Sequence, residues 1–189
     1  DPDVIMVGEI RDVDTARTAL QAAVTGHLVL STFHAGNSSE AFTRMIDMIG
    51  QNPILISSVK LIISQRLVRR LDDKTKQAYE PDEAVQAHIR ENLKSLPADV
   101  TAPNLEKITL YKPGKSEENP FGYKGRISII EDFVVTPEVQ AMLRDPYNIP
   151  TSDLIEAKAK EQGMLTMYQA GLLRALAGET TIEEVNRVI

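Results

Sequence analysis

The chain opens on a short apolar run, Val4–Val7, closed by Gly8-Glu9. A β-branched run of this length, bounded by a turn signal, predicts a strand buried on both faces of a covered sheet. Asp12 then heads a helical pattern in which Val13, Ala16, Leu20, Ala23 and Val24 share one face. Gly26 stands where a C′ glycine would end that helix. Leu28–Phe33 predicts a second buried strand, and strand, helix, strand within about thirty residues is a βαβ unit with parallel strands. Asn37-Ser38-Ser39-Glu40 has the spacing of a capping box leading a helix to Ile49, which Gly50, Asn52 and Pro53 break. From Pro53 to Leu71 apolar residues cover most of a helical circumference, which predicts one long helix buried on more than one side.

Beyond Leu71 the pattern changes. Asp72–Gln77 is polar, Pro81–Leu96 predicts a separate helix, and Pro97–Pro103 reads as a linker. Leu105–Tyr111 and Arg126–Val135 predict strands around a polar turn region, Lys112–Pro120. The remainder predicts helices: one from Thr136-Pro137-Glu138 with Pro at the first position, one over Ser152–Gln162, one over Met167–Ala177 ended by Gly178, and a last one capped by Thr180 or Thr181. The fold class is therefore α/β, with a small α+β insertion and a mainly helical C-terminal region. With 42% hydrophobic and 25% charged residues the composition is that of an ordinary globular chain. A net charge of −6 argues against broad nucleic-acid or anionic-membrane binding. The absence of cysteine excludes disulfides and thiolate metal sites, and fits a cytosolic setting. Ser57, Ser58 and Lys60 interrupt the longest apolar stretch, which cannot serve as a membrane span. Asp1-Pro2-Asp3 does not begin a signal peptide, and a chain that enters a strand without lead-in reads as cut from something longer.

The chemistry concentrates near the start. In nucleotide-hydrolysing α/β folds the ligand lies beyond the C-terminal ends of the strands. Glu9 would stand there, either as a turn carboxylate or as a group that holds Mg²⁺, directly or through water, and polarises an attacking water. His27 and His34 bracket the second strand. His34, at its C-terminal end, would neighbour Glu9 if the strands are adjacent, and could face a phosphate or a catalytic water. The two histidines lie too far apart along a strand to ligate one metal, and each has the plainer reading of a hydrogen-bonded structural residue, as does His88. Gln65-Arg66-Leu67-Val68-Arg69-Arg70 is a basic cluster that either complements the C-terminus of the predicted long helix or binds phosphate.

Together these segments are specific. "DPDVIMVGEIRDVDTARTALQAAVTGHLVLSTFHA" resembles the Walker B and histidine-box region of the type II secretion / type IV pilus assembly ATPase family. "ISQRLVRRL", read as the helix that follows there, and "GYKGRISIIEDFVVTPEV" and "GMLTMYQAGLLRALAGETTIEEVNRVI" resemble later parts of it. The resemblance implies that Asp1–Leu71 is the second half of a RecA-like P-loop ATPase core, that Asp72–Lys124 is the counterpart of the family's zinc subdomain, and that Gly125–Ile189 is the helical C-terminal region. It makes Glu9 the Walker B glutamate, preceded by Gly8, places His27 and His34 in the histidine box, and sets Arg11 and Asp12 where the family has an Arg-Asp pair.

It further implies ATP and Mg²⁺ as cofactors and a homo-hexameric ring. Such a ring would act on an inner-membrane platform protein, cytoplasmic and peripheral to the membrane, touching lipid only through partners and nucleic acid not directly. The family's zinc-binding Cys-x-x-Cys pairs fall on Asp72 and Thr75 and on Lys115 and Glu118. Those side chains do not make a zinc site, so the subdomain is expected to persist without metal, held by the Pro81–Leu96 helix on the two strands after it. No G-x-x-x-x-G-K-[ST] run occurs in the 189 residues, so the backbone cradle and lysine that hold ATP phosphates are missing and this chain alone is expected to be inactive. The alternatives are a truncated, non-enzymatic docking subunit of such a machine, and an α/β binding module of chance likeness.

Overall fold

The structure is a computed structural model that describes residues 2–145 and 147–189. The elements run β1 (Val4–Val7), α1 (Val13–Val24), β2 (Leu28–Ser31), α2 (Ser38–Ile49), α3 (Pro53–Ser58), β3 (Leu61–Leu71), β4 (Gln77–Tyr79), α4 (Glu83–Asn92), β5 (Leu110–Lys112), β6 (Tyr123–Val134), α5 (Pro137–Leu143), α6 (Ser152–Glu161), α7 (Met167–Leu176) and α8 (Ile182–Val188). They divide into two compact units, Asp1–Ile63 with Asp132–Gln162, and Ser64–Glu131 with Gly163–Ile189.

In the first unit β1 and β2 pair in parallel, with Val4 opposite Leu28 and Val7 opposite Ser31. The helix between them starts where Asp12 accepts from the Thr15 N–H and ends before Gly26, whose φ of 96° is open to glycine without penalty. Asn37 caps α2 by accepting from the Glu40 N–H. The box is not reciprocal in the expected way, because the Glu40 carboxylate reaches past Asn37 to the Gly36 N–H at 2.7 Å. The core beneath is built from Phe42, Ile46, Leu55, Ile56, Phe133 and Val139, with Phe42 and Phe133 edge to face at 6.4 Å.

The sequence pattern predicts two strands covered on both faces, and here the structure differs. Val4, Met6, Leu28 and Leu30 all lie on one face of the β1–β2 pair and are 46–79% exposed, whereas Ile5, Val7 and Val29 on the other face are half-buried. The predicted long helix over Pro53–Leu71 is also two elements. Asn52 and Pro53 start a short helix that stops at Ser58, and the chain then extends into β3, paired with β6. A run that is apolar all round reads equally as a buried helix or as a strand with two covered faces. The β-branched Ile62, Ile63 and Val68 favour the strand, and the exposure of Leu61–Val68 alternates residue by residue.

In the second unit Ile89 of α4 packs with Ile108, Leu110, Leu172 and Ala175. A neighbouring cluster joins Val68 of β3, Ile129 of β6, Met167 of α7 and Val185 of α8. The expected packing of α4 thus forms on β5 and α7 rather than on β6. The expected strand from Leu105 is confined to β5, because the Asn104 side chain accepts from the Glu106 N–H and turns the chain just before it. β5 pairs antiparallel with β4, a strand too short and polar to read from the pattern. The helices α7 and α8 approach closely: a Cβ on Gly171 would lie 2.6 Å from Val185 Cγ1.

Two polar devices tie this unit together. One joins Asp72, just after β3, to the turn before β6. The Asp72 carboxylate accepts from Asn119 Nδ2 at 3.0 Å and from the Lys74 N–H at 3.0 Å. The same Asn119 amide donates to the Tyr123 carbonyl at 3.1 Å, and Asn119 Oδ1 accepts from the Gly122 N–H at 3.1 Å. The backbone adds Asp72 N–H to the Gly122 carbonyl at 3.0 Å. The second device is Glu184, 2% exposed, which accepts from the Arg69 backbone and side chain and from two nitrogens of Arg187. Burial alone would raise its pKa, but the hydrogen bonds from Arg69 and Arg187 outweigh that and pull it to about 2.

Two outcomes follow. Asp72→Ala removes the acceptor shared by Asn119 and Lys74 and should destabilise the chain by about 1–3 kcal/mol, whereas EDTA leaves the wild-type Tm unchanged; a Tm that falls on chelation would show a metal in place of the clasp. Because the folded pKa of Glu184 lies below the unfolded value of about 4.3, its stabilisation is present above that value and is lost as pH falls toward 2. Thermal melts from pH 6 to 2 should therefore show a larger drop for the wild type than for Glu184→Gln, the difference worth at most about 3 kcal/mol.

Candidate functional site

The parallel register decides where the chemistry lies. With Val7 opposite Ser31, both strands end at the same level and the loops that follow run side by side. Thr32 fastens them: its hydroxyl donates to the Gly8 carbonyl at 2.7 Å, and its own carbonyl accepts from the Ile10 N–H at 2.9 Å. Glu9 is thereby held at the C-terminal end of β1 and His34 beyond the C-terminal end of β2, with His34 Nε2 3.1 Å from Glu9 Oε1.

The two oxygens of Glu9 have different surroundings. Oε2 accepts from Arg11 Nε at 2.7 Å and lies 2.6 Å from a second Arg11 nitrogen. Oε1 is shielded from solvent yet accepts no hydrogen bond, since His34 approaches it at ion-pair distance without hydrogen-bond geometry. The Arg11 hydrogen bond leads the influences that hold the Glu9 carboxyl below its ordinary range; partial burial opposes it, and the charges of Arg11 and His34 add to it. Glu9 is thus a carboxylate at neutral pH with one oxygen committed and one in reserve. Arg11 and His34 are open to solvent, with side chains 75% and 87% exposed.

Of the residues singled out by sequence, Glu9, Arg11 and His34 come together, with the Gly8 backbone beneath them. His27 does not join them. It lies just before β2, where its Nδ1 is 3.0 Å from the Thr25 hydroxyl and 3.1 Å from the Ala22 carbonyl, a bracket on the end of α1. Thr32 was not singled out. Its signal is a hydroxyl just past the C-terminal end of a predicted strand, where a side chain can cross to the neighbouring loop.

Among the described residues no three His, Cys, Asp or Glu side chains are close enough to hold a metal. One carboxylate with an unused oxygen does not make an all-protein cage. It does suit Mg²⁺, which keeps several waters and is bound through one or two carboxylates together with substrate phosphates.

In open α/β folds ligands bind beyond the C-terminal ends of the strands, which is where Glu9 and His34 stand. The family model for type II/IV secretion system proteins matches residues 1–187, and the chain belongs to that family. It is 43% identical along its whole length to the type II secretion system protein E of Xanthomonas campestris pv. campestris, and 39% identical to the type IV pilus assembly ATPase PilB of Pseudomonas aeruginosa. In both comparisons it spans 31% of the relative's length. Its fold is similar to the X-ray structure of the Legionella pneumophila ATPase DotB, with a TM-score of 0.61 at 19% identity over 99% of this chain and 38% of that one. No helix among the described residues is long and apolar enough to cross a membrane.

Removing the Arg11 guanidinium tests the electrostatics directly. In Arg11→Ala the Glu9 carboxyl should titrate at a higher pH than in the wild type, followed by ¹³C chemical shift; an unmoved titration would show that Arg11 does not set the charge of Glu9.

Proposed function

We propose that this chain is part of a hexameric motor ATPase that drives type II secretion or type IV pilus assembly. The observation that carries this reading is the reserved oxygen of Glu9, sheltered and without a hydrogen bond, beside His34 at the end of a parallel strand pair. The names of the relatives supply the machine. In the whole protein Asp1–Leu71 would be the second half of a RecA-like core, Asp72–Lys124 the cysteine-less counterpart of the zinc subdomain and Gly125–Ile189 the C-terminal region. The bare apolar face of Val4, Met6, Leu28 and Leu30 supports that assignment, because a sheet of this class is covered on both faces.

Phosphoryl transfer is mostly positioning and charge stabilisation, and these residues divide that work. Mg²⁺, when bound, would supply neutralisation of the phosphate charge. Glu9 Oε1 would accept from a water of that ion or from the attacking water, while Arg11 keeps the carboxylate ionised and fixes its rotamer. The Thr32 hydroxyl on the Gly8 carbonyl holds the loop carrying Glu9 in register with the loop carrying His34. His34, exposed and beside Glu9, would face the γ-phosphate and relay its presence to the loop ahead of α2; His27 would brace the strand from its other end. The phosphate cradle is supplied by polypeptide other than these 189 residues, which contain no P-loop motif, so the chain by itself turns over no ATP. Its partners would be five further copies in a ring and a platform protein at the cytoplasmic membrane, without direct contact to nucleic acid.

The decisive substitution is Glu9→Gln in the full-length protein. It keeps the shape and removes the charge, so assembly and nucleotide binding should persist while ATP turnover falls on the order of a hundredfold or more. Turnover retained at the wild-type rate would sink the assignment of Glu9.

A further inference from the structure

The basic cluster that sequence reading left between two explanations resolves differently in three dimensions. Arg69 is on a strand, so no helix terminus is there for it to complement. It lies instead in an open cleft of about 520 Å³ lined by Leu67, Arg69, Arg126 and Arg187, which come from β3, β6 and α8. No acidic side chain lines this cleft. The nearest carboxylate of the arrangement is Glu184, 2% exposed and fully engaged by Arg69 and Arg187.

That engagement has two effects. It fixes both guanidiniums: Arg187 donates two side-chain hydrogen bonds to the buried carboxylate, and Arg69 donates one from its guanidinium and one from its backbone N–H, with its guanidinium further held 4.2 Å from the centre of the Tyr123 ring. It also leaves most of their donors unspent, because a guanidinium carries five N–H groups in a rigid fork. Their side chains remain about half exposed, 49% for Arg69 and 55% for Arg187. Arg126 is exposed on β6 and has no carboxylate partner among the described residues. Three guanidiniums set against one carboxylate leave a surplus of two positive charges. A buried salt bridge serving only stability needs one arginine, not two held half in solvent with a third beside them.

We propose that this cleft is a phosphate-binding site, taking a doubly charged phosphoryl group, free or as the terminus of a larger molecule. Rigid forks placed on separate elements match the geometry of a tetrahedral oxyanion, which accepts from several donors at once. Glu184 acts beneath the site as a positioning residue: it does not touch the anion but holds two of the three forks that do.

The probe is sodium pyrophosphate, titrated into the chain at low ionic strength by calorimetry. Saturable binding is expected, unchanged by Glu9→Gln and weakened about tenfold by Arg126→Gln, the loss of one charge-assisted contact. Arg126→Gln should keep the wild-type Tm, since Arg126 has no carboxylate partner in the fold, and Arg126→Lys should restore part of the affinity. The absence of saturable binding, or equal affinity in wild type and Arg126→Gln, overturns the proposal. So does binding of polyglutamate where pyrophosphate fails, which would assign the cleft to an acidic protein partner.

Discussion

Everything at the strand-end site depends on the parallel register of β1 and β2. Parallel strands place like ends together, so residues that follow two different strands share one rim of the sheet. Glu9 and His34 are far apart in sequence and meet only because Val7 lies opposite Ser31. Slipping that register by one residue would turn Glu9 to the other face. The Thr32 hydroxyl on the Gly8 carbonyl secures the same register where the ladder ends, so one small side chain carries much of the geometry on which the carboxylate and the imidazole rely.

The second unit is organised by polar groups of another kind. Its apolar clusters are small, and the elements around them are short. Glu184 ties α8 to β3 through a backbone N–H as well as a guanidinium, and Asn119 ties the chain after Leu71 to the chain before β6. Both devices satisfy every oxygen they bury. Partly satisfied networks are worse than none, and here both are complete. The close approach of Gly114 and Gly122 around the Asp72–Asn119 clasp is possible because neither carries a side chain.

Much of this was legible in the residues. The βαβ unit, the caps at Asp12 and Asn37, the C′ glycine and the helices after Val135 all follow from local signals whose physical cause is local. Glu9 and His34 could be paired in advance because the parallel rule is topological. What could not be read was decided by tertiary context. Pro53–Leu71 spreads its apolar residues around most of a helical circumference, and such a run carries no clear period to choose strand over helix. β4 is three residues long with Gln at its start. Asn119 looks like any polar turn residue until its side chain's three partners, Asp72, Gly122 and Tyr123, are drawn around it. The Arg69–Glu184 bond joins positions 115 residues apart, and nothing in either neighbourhood announces the other.

The bare face of the β1–β2 pair has a consequence for handling the molecule. Two strands have two open edges, and here the sheet also shows Val4, Met6, Leu28 and Leu30 to solvent. Rows of unpaired backbone donors and acceptors beside an apolar surface are the template on which strands from other molecules add. Short β-branched segments with little charge are the sequences that stack most readily. The region that gathers Glu9, Arg11 and His34 is therefore also the one that drives self-association when uncovered. Polypeptide that covers this sheet would act as an internal chaperone.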